Sequence, residues 1–197
     1  MREEERHGVK GVVLDLNHYL SDLITVPIPL DSAGWPVDPE TPLTPELITR
    51  LRGQIGQLLW LALSMDMKLA FKVSAMAQRV PRATIGDLME GNKLIQEAKD
   101  SPTTLFYPKM GKNISLKVFS DSSFGNLEDG GSQGGYFVCM EDEDTGLFAP
   151  LSWGSRKLRR VLRSTVAAVT EAMVDAIDEG VFWVWFRIGF TRGLRGR

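Results

Sequence analysis

The stretch "KVFSDSSFGNLEDGGSQGGYFVCM", Lys117 to Met140, holds an apolar run that stops at an aspartate, passes a glycine-rich turn and returns as a second apolar run. Leading into that aspartate the chain alternates. Ile114, Leu116 and Val118 fall on one face, and Ser115, Lys117, Phe119 and Asp121 on the other, which is the period of a β-strand. Gly130-Gly131 and Gly134-Gly135 bracket Ser132-Gln133 and lead into Tyr136 to Met140. "EDED", followed by Thr145-Gly146, then turns the chain into Leu147 to Trp153. Three consecutive strands in an antiparallel meander are expected. From Ser164 a long helix should follow, with Val166, Val169, Met173, Ile177 and Gly180 as its apolar stripe.

Upstream, the pattern has period 3.6. Thr44-Pro45-Glu46 supplies an N-cap, a first-turn proline and an early acid, and Leu47, Ile48, Leu51, Ile55, Leu58, Leu59 and Ala62 then recur as on an amphipathic helix. A second helix is expected over Leu69 to Arg79, ending before Pro81. A third opens at Thr84 with Asp87 three residues on, and carries Leu88, Ile95 and Ala98 on one side. Before these, Val12 to Leu16 reads as a short strand, and the proline-rich stretch from Asp31 to Pro45 as a linker. The expected organisation is an irregular N-terminal segment (1–43), a helical region (44–104), a strand and helix layer (105–180) and an aromatic and basic tail (181–197).

The bulk composition sets limits. A net charge of -2, with 43% hydrophobic and 24% charged residues, describes a globular chain and argues against a uniformly basic nucleic-acid binder. Charge is nonetheless segregated. "RKLRRVLR", Arg156 to Arg163, holds five cations, while Glu141 to Asp144 is acidic throughout. The single cysteine, Cys139, rules out an internal disulfide and a cysteine zinc cluster. With no apolar leader in "MREEERHG", an intracellular, non-secreted location in cytoplasm or nucleus is expected. The apolar segment Val181 to Phe190 is too short to span a membrane and contains Arg187.

Several segments, in order and spacing, resemble one family. "ITRLRGQIGQLLWLA", "AFKVSAMAQ", "FSDSSFGN", "GGSQGGYFV", "PLSWGSRKLRRVLRST" and "DAIDEG" look like the end of a copia-type retrotransposon Pol polyprotein, from the close of its reverse transcriptase through its RNase H domain. The resemblance covers most of residues 12 to 180. It implies an α+β fold in which a helical connection region precedes an incomplete, truncated RNase H-like layer of three strands packed on one long helix. It also implies Mg²⁺-dependent cleavage of RNA in an RNA/DNA hybrid, with Asp121 as the metal ligand of the first strand, held in the sheet's interior. The polymerase active site, upstream in the family, has no counterpart here.

That chemistry needs several carboxylates around two Mg²⁺ ions about 4 Å apart. At the helix position where the family carries its next acid, this chain has Val169. Glu171 is the nearest substitute for the catalytic role, but two residues along a helix are about 200° of rotation. After Glu179 the chain contains no acid at all. Cleavage is therefore expected to be impaired. The alternative is a non-catalytic module that binds nucleic acid through Arg156, Lys157, Arg159, Arg160 and Arg163, or one that self-associates through Trp183 and Trp185. Plainer readings stand beside these: Asp121 as a strand-ending residue next to Ser-Ser, the basic run as an exposed turn, and the acids of the last helix as its solvated face. Trp60 and Trp153, among apolar neighbours, are expected in the core.

Overall fold

The computed structural model describes residues 1–127, 129–159 and 162–195, with side chains as far as Phe186. The chain is a mixed helix and sheet protein in two compact units, one of residues 15–105 and the other of residues 1–14 with 106–197. The first fourteen residues thus group with the strands that follow the helical region. Among the described residues no helix is long and apolar enough to cross a membrane.

The unit of residues 15–105 is helical: α1 (Asn17–Asp22), α2 (Pro45–Ser64), α3 (Ala70–Arg79) and α4 (Ile85–Asp100). α2 begins where its cap residues put it, with the Thr44 hydroxyl accepting from the Leu47 N–H and Pro45 in the first turn. Its buried face is Leu51, Ile55, Leu58, Leu61 and Ala62, while Leu59 turns outward. Trp60 is also outside the core. It is 48% exposed and lies against Tyr19, because the α2 stripe is filled by Leu58 and Leu61 on either side of it. α4 opens with a reciprocal capping box between Thr84 and Asp87 and buries Leu88, Ile95 and Ala98. Asn92 of α4 pins the extended strap before the proline-rich stretch. Its side chain accepts from the Val26 N–H and donates to the Val26 carbonyl, both at 2.8 Å.

In the other unit, β1 (Arg2–Arg6) and β2 (Val9–Leu14) form an antiparallel hairpin, and β3 (Leu105–Pro108) joins β2 in a sheet of order β1-β2-β3. The turn is His7-Gly8, both at positive φ, the geometry of a two-residue hairpin loop. Residues 2–14 are therefore a hairpin, where a single short strand over Val12 to Leu16 was expected, and the stretch from Leu23 to Thr44 has no helix or strand beyond isolated bridges. "REEER" offers no apolar alternation, so its strand is invisible to a hydrophobicity pattern. At Gly11 the second strand runs so close to β3 that a Cβ would lie 2.5 Å from the Tyr107 carbonyl.

The second sheet is the expected meander: β4 (Ile114–Ser123), β5 (Gln133–Asp142) and β6 (Phe148–Lys157), antiparallel in the order β4-β5-β6. α5 (Thr165–Arg195) follows it. The turn into β6 is built on Asp142, whose buried carboxylate accepts from the Gly111 and Asp144 N–H groups. Those hydrogen bonds hold its carboxyl below the usual range.

The packing face of α5 differs from the expected stripe. Ala168, Ala172, Ala176 and Gly180 are buried, at intervals of four, whereas Val166, Val169, Met173 and Ile177 are exposed. Only Gly180 of the expected stripe faces the sheet. The reason is distance. A Cβ on Gly134 of β5 would lie 3.3 Å from the Ala172 Cβ, and a Cβ on Gly180 would lie 2.8 Å from the Val118 side chain. At that approach only glycine and alanine fit beneath the helix. Ala172→Leu should therefore destabilise the fold by about 1–3 kcal/mol through overpacking, and Met173→Ala should change stability by less than about 0.5 kcal/mol. Urea unfolding of the two variants checks this.

Candidate nucleic-acid interface

Asp121 and α5 lie on opposite faces of the second sheet. Val118 meets α5 at Gly180, and Gly134, the partner of Ser122, meets it at Ala172. Side chains alternate along a strand, so Val118, Ser120 and Ser122 share the helix face and Phe119 and Asp121 the other. Consistent with this, Phe119 packs beside Phe137, its cross-strand partner. The Asp121 carboxylate is exposed and accepts from the Ser122 N–H at 2.8 Å. Its strand is the outer one of the sheet. Asp121 is thus at the edge and not in the interior, because no strand among the described residues flanks β4 on its other side.

Glu171 is brought to a different place. With Arg156, Arg159, Leu162, Val174 and Asp175 it lines a cleft of about 590 Å³ between the end of β6 and the first turns of α5. Val169 is 44% exposed on another side of the helix. Both belong to α5, on the face of the sheet opposite to the one that carries Asp121. A Mg²⁺ pair needs converging carboxylate oxygens, and among the described residues no group of three His, Cys, Asp or Glu side chains is arranged to hold a metal ion. The donor set does not fit the metal centre that the family resemblance implies.

The basic segment is partly neutralised from within. Arg156 is gripped by Asp175 through both carboxylate oxygens, with Nε to Oδ2 at 2.9 Å, and that pairing holds the guanidinium's proton more firmly still. Lys157 pairs with Asp129. The Lys157 hydrogen bond and the Gly131 N–H keep the Asp129 carboxyl below the usual range. Arg159 and Arg163 are exposed, Arg159 on the rim of the cleft. Arg160 lies outside the described residues. Leu158 is buried and anchors the segment against Gly134. Trp153 is buried, as its neighbours led one to expect.

Asp175, one of the α5 acids expected on a solvated face with Glu171, Asp178 and Glu179, and Asp129, which was not singled out in the sequence, decide which cations remain available. The signal for the first was present, since Glu171, Asp175 and Glu179 recur every four residues on one flank of a helix. The whole flank is engaged with β6 and the cleft: Glu179 accepts from the Ser152 hydroxyl at 2.7 Å.

No family model matches this chain, and no solved structure matches it. Two curated proteins do. Over 185 residues, 89% of the chain, it is 25% identical to the Retrovirus-related Pol polyprotein from transposon RE1 of Arabidopsis thaliana. Over 132 residues, 66% of the chain, it is 26% identical to the corresponding polyprotein from transposon RE2 of the same plant. The chain spans 12% and 9% of the lengths of these relatives.

The separation of the two acids has a measurable consequence. In calorimetric Mn²⁺ titrations the effects of Asp121→Asn and Glu171→Gln should add, with a coupling no larger than about 0.5 kcal/mol. Coupling well above that would mean one shared ion. The ordered motifs and both polyprotein similarities converge: across most of its length the chain is similar to a portion of a copia-type retrotransposon Pol polyprotein.

Proposed function

We propose that this chain is a retrotransposon-derived RNase H-like module that holds RNA/DNA hybrids without cutting them. The retrotransposon origin rests on the polyprotein similarities. The RNase H-like reading is supported by the order of elements, a three-stranded antiparallel meander with Asp121 on its first strand and a long helix after its third. The observation that carries the loss of cleavage is the placement of Asp121 and α5 on opposite faces of the sheet. Two-metal hydrolysis depends on carboxylates from strand and helix meeting at one phosphate. Here the strand contributes one acid, facing away, and the helix position that would answer it is Val169.

Hybrid binding would fall to the cations after β6. Arg159 and Arg163, with Arg160 between them in sequence, would hold the phosphate backbone without reading bases. Arg156 and Lys157 contribute less because Asp175 and Asp129 already occupy them. Such contacts act by releasing counterions, so affinity must fall steeply with salt.

A labelled RNA/DNA hybrid tests both parts. No Mg²⁺- or Mn²⁺-dependent cleavage is expected from the chain or from Val169→Glu, because restoring an acid on α5 does not turn Asp121 toward it. Cleavage abolished by Asp121→Asn would overturn the reading. In binding assays, Arg159→Ala with Arg163→Ala should lower hybrid affinity and flatten its salt dependence by about two contacts. Asp175→Asn with Asp129→Asn should raise affinity by freeing Arg156 and Lys157. Binding that ignores salt and all four substitutions would exclude the basic segment.

A further inference from the structure

β4 offers a free edge. β5 pairs along one side of all ten residues, and among the described residues no strand pairs along the other. Its outward N–H and C=O groups form an extended row of donors and acceptors, a template for another strand. α5 adds an apolar wall to that edge. Asp175 and Glu179 direct one flank of the helix toward Arg156 and Ser152 on β6. Residues two positions away lie about 200° round the helix, so Met173 and Ile177 face the opposite flank, over the free side of β4. They are 47% and 51% exposed, and Val184 continues the ridge at 44%.

We propose that this edge pairs with the same edge of a second copy of the chain, β4 antiparallel to β4, across a two-fold axis at Phe119. Charge sets the register. With Phe119 opposite its symmetry mate, each Lys117 falls opposite the other copy's Asp121, on the sheet face away from α5. An axis at Lys117 or at Asp121 would set like charges against each other, and an axis at Val118 or Ser120 would leave both charges facing uncharged residues. Among the described residues Asp121 has no ion-pair partner of its own; Lys117 already holds Glu143 at 2.7 Å and Glu141 at 3.9 Å, so its pull on the incoming carboxylate is reduced and the register rests chiefly on keeping like charges apart.

The helices agree with this geometry. α5 rests on both β4 and β5, reaching Gly134 with Ala172 and Val118 with Gly180. Two copies joined at β4 would therefore carry their α5 helices antiparallel on one face of the joined sheet, one on each side of the two-fold axis. The ridges of Met173 and Ile177 would fill the gap between them, and the same patch serves both copies, as a two-fold interface requires.

Sedimentation equilibrium of the full chain, without nucleic acid, tests this. A monomer and dimer equilibrium is expected. Ile177→Asp should abolish the dimer while leaving the far-ultraviolet circular dichroism unchanged, since the residue is exposed. Lys117→Glu and Asp121→Lys should each weaken dimerisation about tenfold by turning two cross-strand attractions into repulsions. An equimolar mixture of these two variants should associate as tightly as the parent chain, because each reversed charge then meets its opposite. A chain that stays monomeric at every concentration, a dimer indifferent to Ile177→Asp, an open-ended assembly, or a mixture no tighter than either variant alone would overturn the proposal.

Discussion

The close seat of α5 on the second sheet is the constraint from which the rest of that unit follows. Ala168, Ala172, Ala176 and Gly180 form a stripe with almost no side-chain volume, and Gly134 below them has none. Each methyl group left out brings the helix nearer the strands, where dispersion contacts are many and short. The cost is that the larger apolar residues of the same helix cannot take part. They are displaced to its flanks, and the acids to the flank that meets β6.

That division of the helix surface governs its chemistry. The acidic flank meets cations and hydroxyls of β6, so Asp175 and Glu179 act as internal partners and not as a solvated face. The apolar flank is left over the open edge of β4 with nothing from its own chain to cover it among the described residues. Asp121 stands on the far side of the sheet from both. A catalytic constellation needs groups from strand and helix to converge, and here the strand's pleat sends them apart.

Much of this was legible in the residues. The meander could be read from alternation around Lys117 and from the glycines before Tyr136, and α2 from Thr44-Pro45-Glu46, because caps and turns are local physics. The separation of Asp121 from α5 was also latent in the sequence. Lys117, Phe119 and Asp121 fall on one face and Leu116 and Val118 on the other, and a helix covers the more apolar one. The buried face of α5 was not legible, because hydrophobicity ranks Val169, Met173 and Ile177 above alanine, while close approach ranks them below. The strand "REEER" was hidden for a related reason, as its pairing is a backbone property that its side chains do not advertise. Trp60 misleads in the same way: its apolar neighbours on α2 already fill the core.

A designed cross-link interrogates the seat of α5 most directly. In a Cys139→Ala, Leu158→Ala background, which clears the side chain that would otherwise meet a new Cβ at 2.6 Å, Gly134→Cys with Ala172→Cys sets two Cβ atoms 3.3 Å apart, close enough for a disulfide after a slight adjustment. Rapid oxidation of that pair, with none for Gly134→Cys with Met173→Cys, is the predicted result. Efficient cross-linking through position 173 and not through 172 would put the large apolar stripe against the sheet and contradict the packing on which everything else rests.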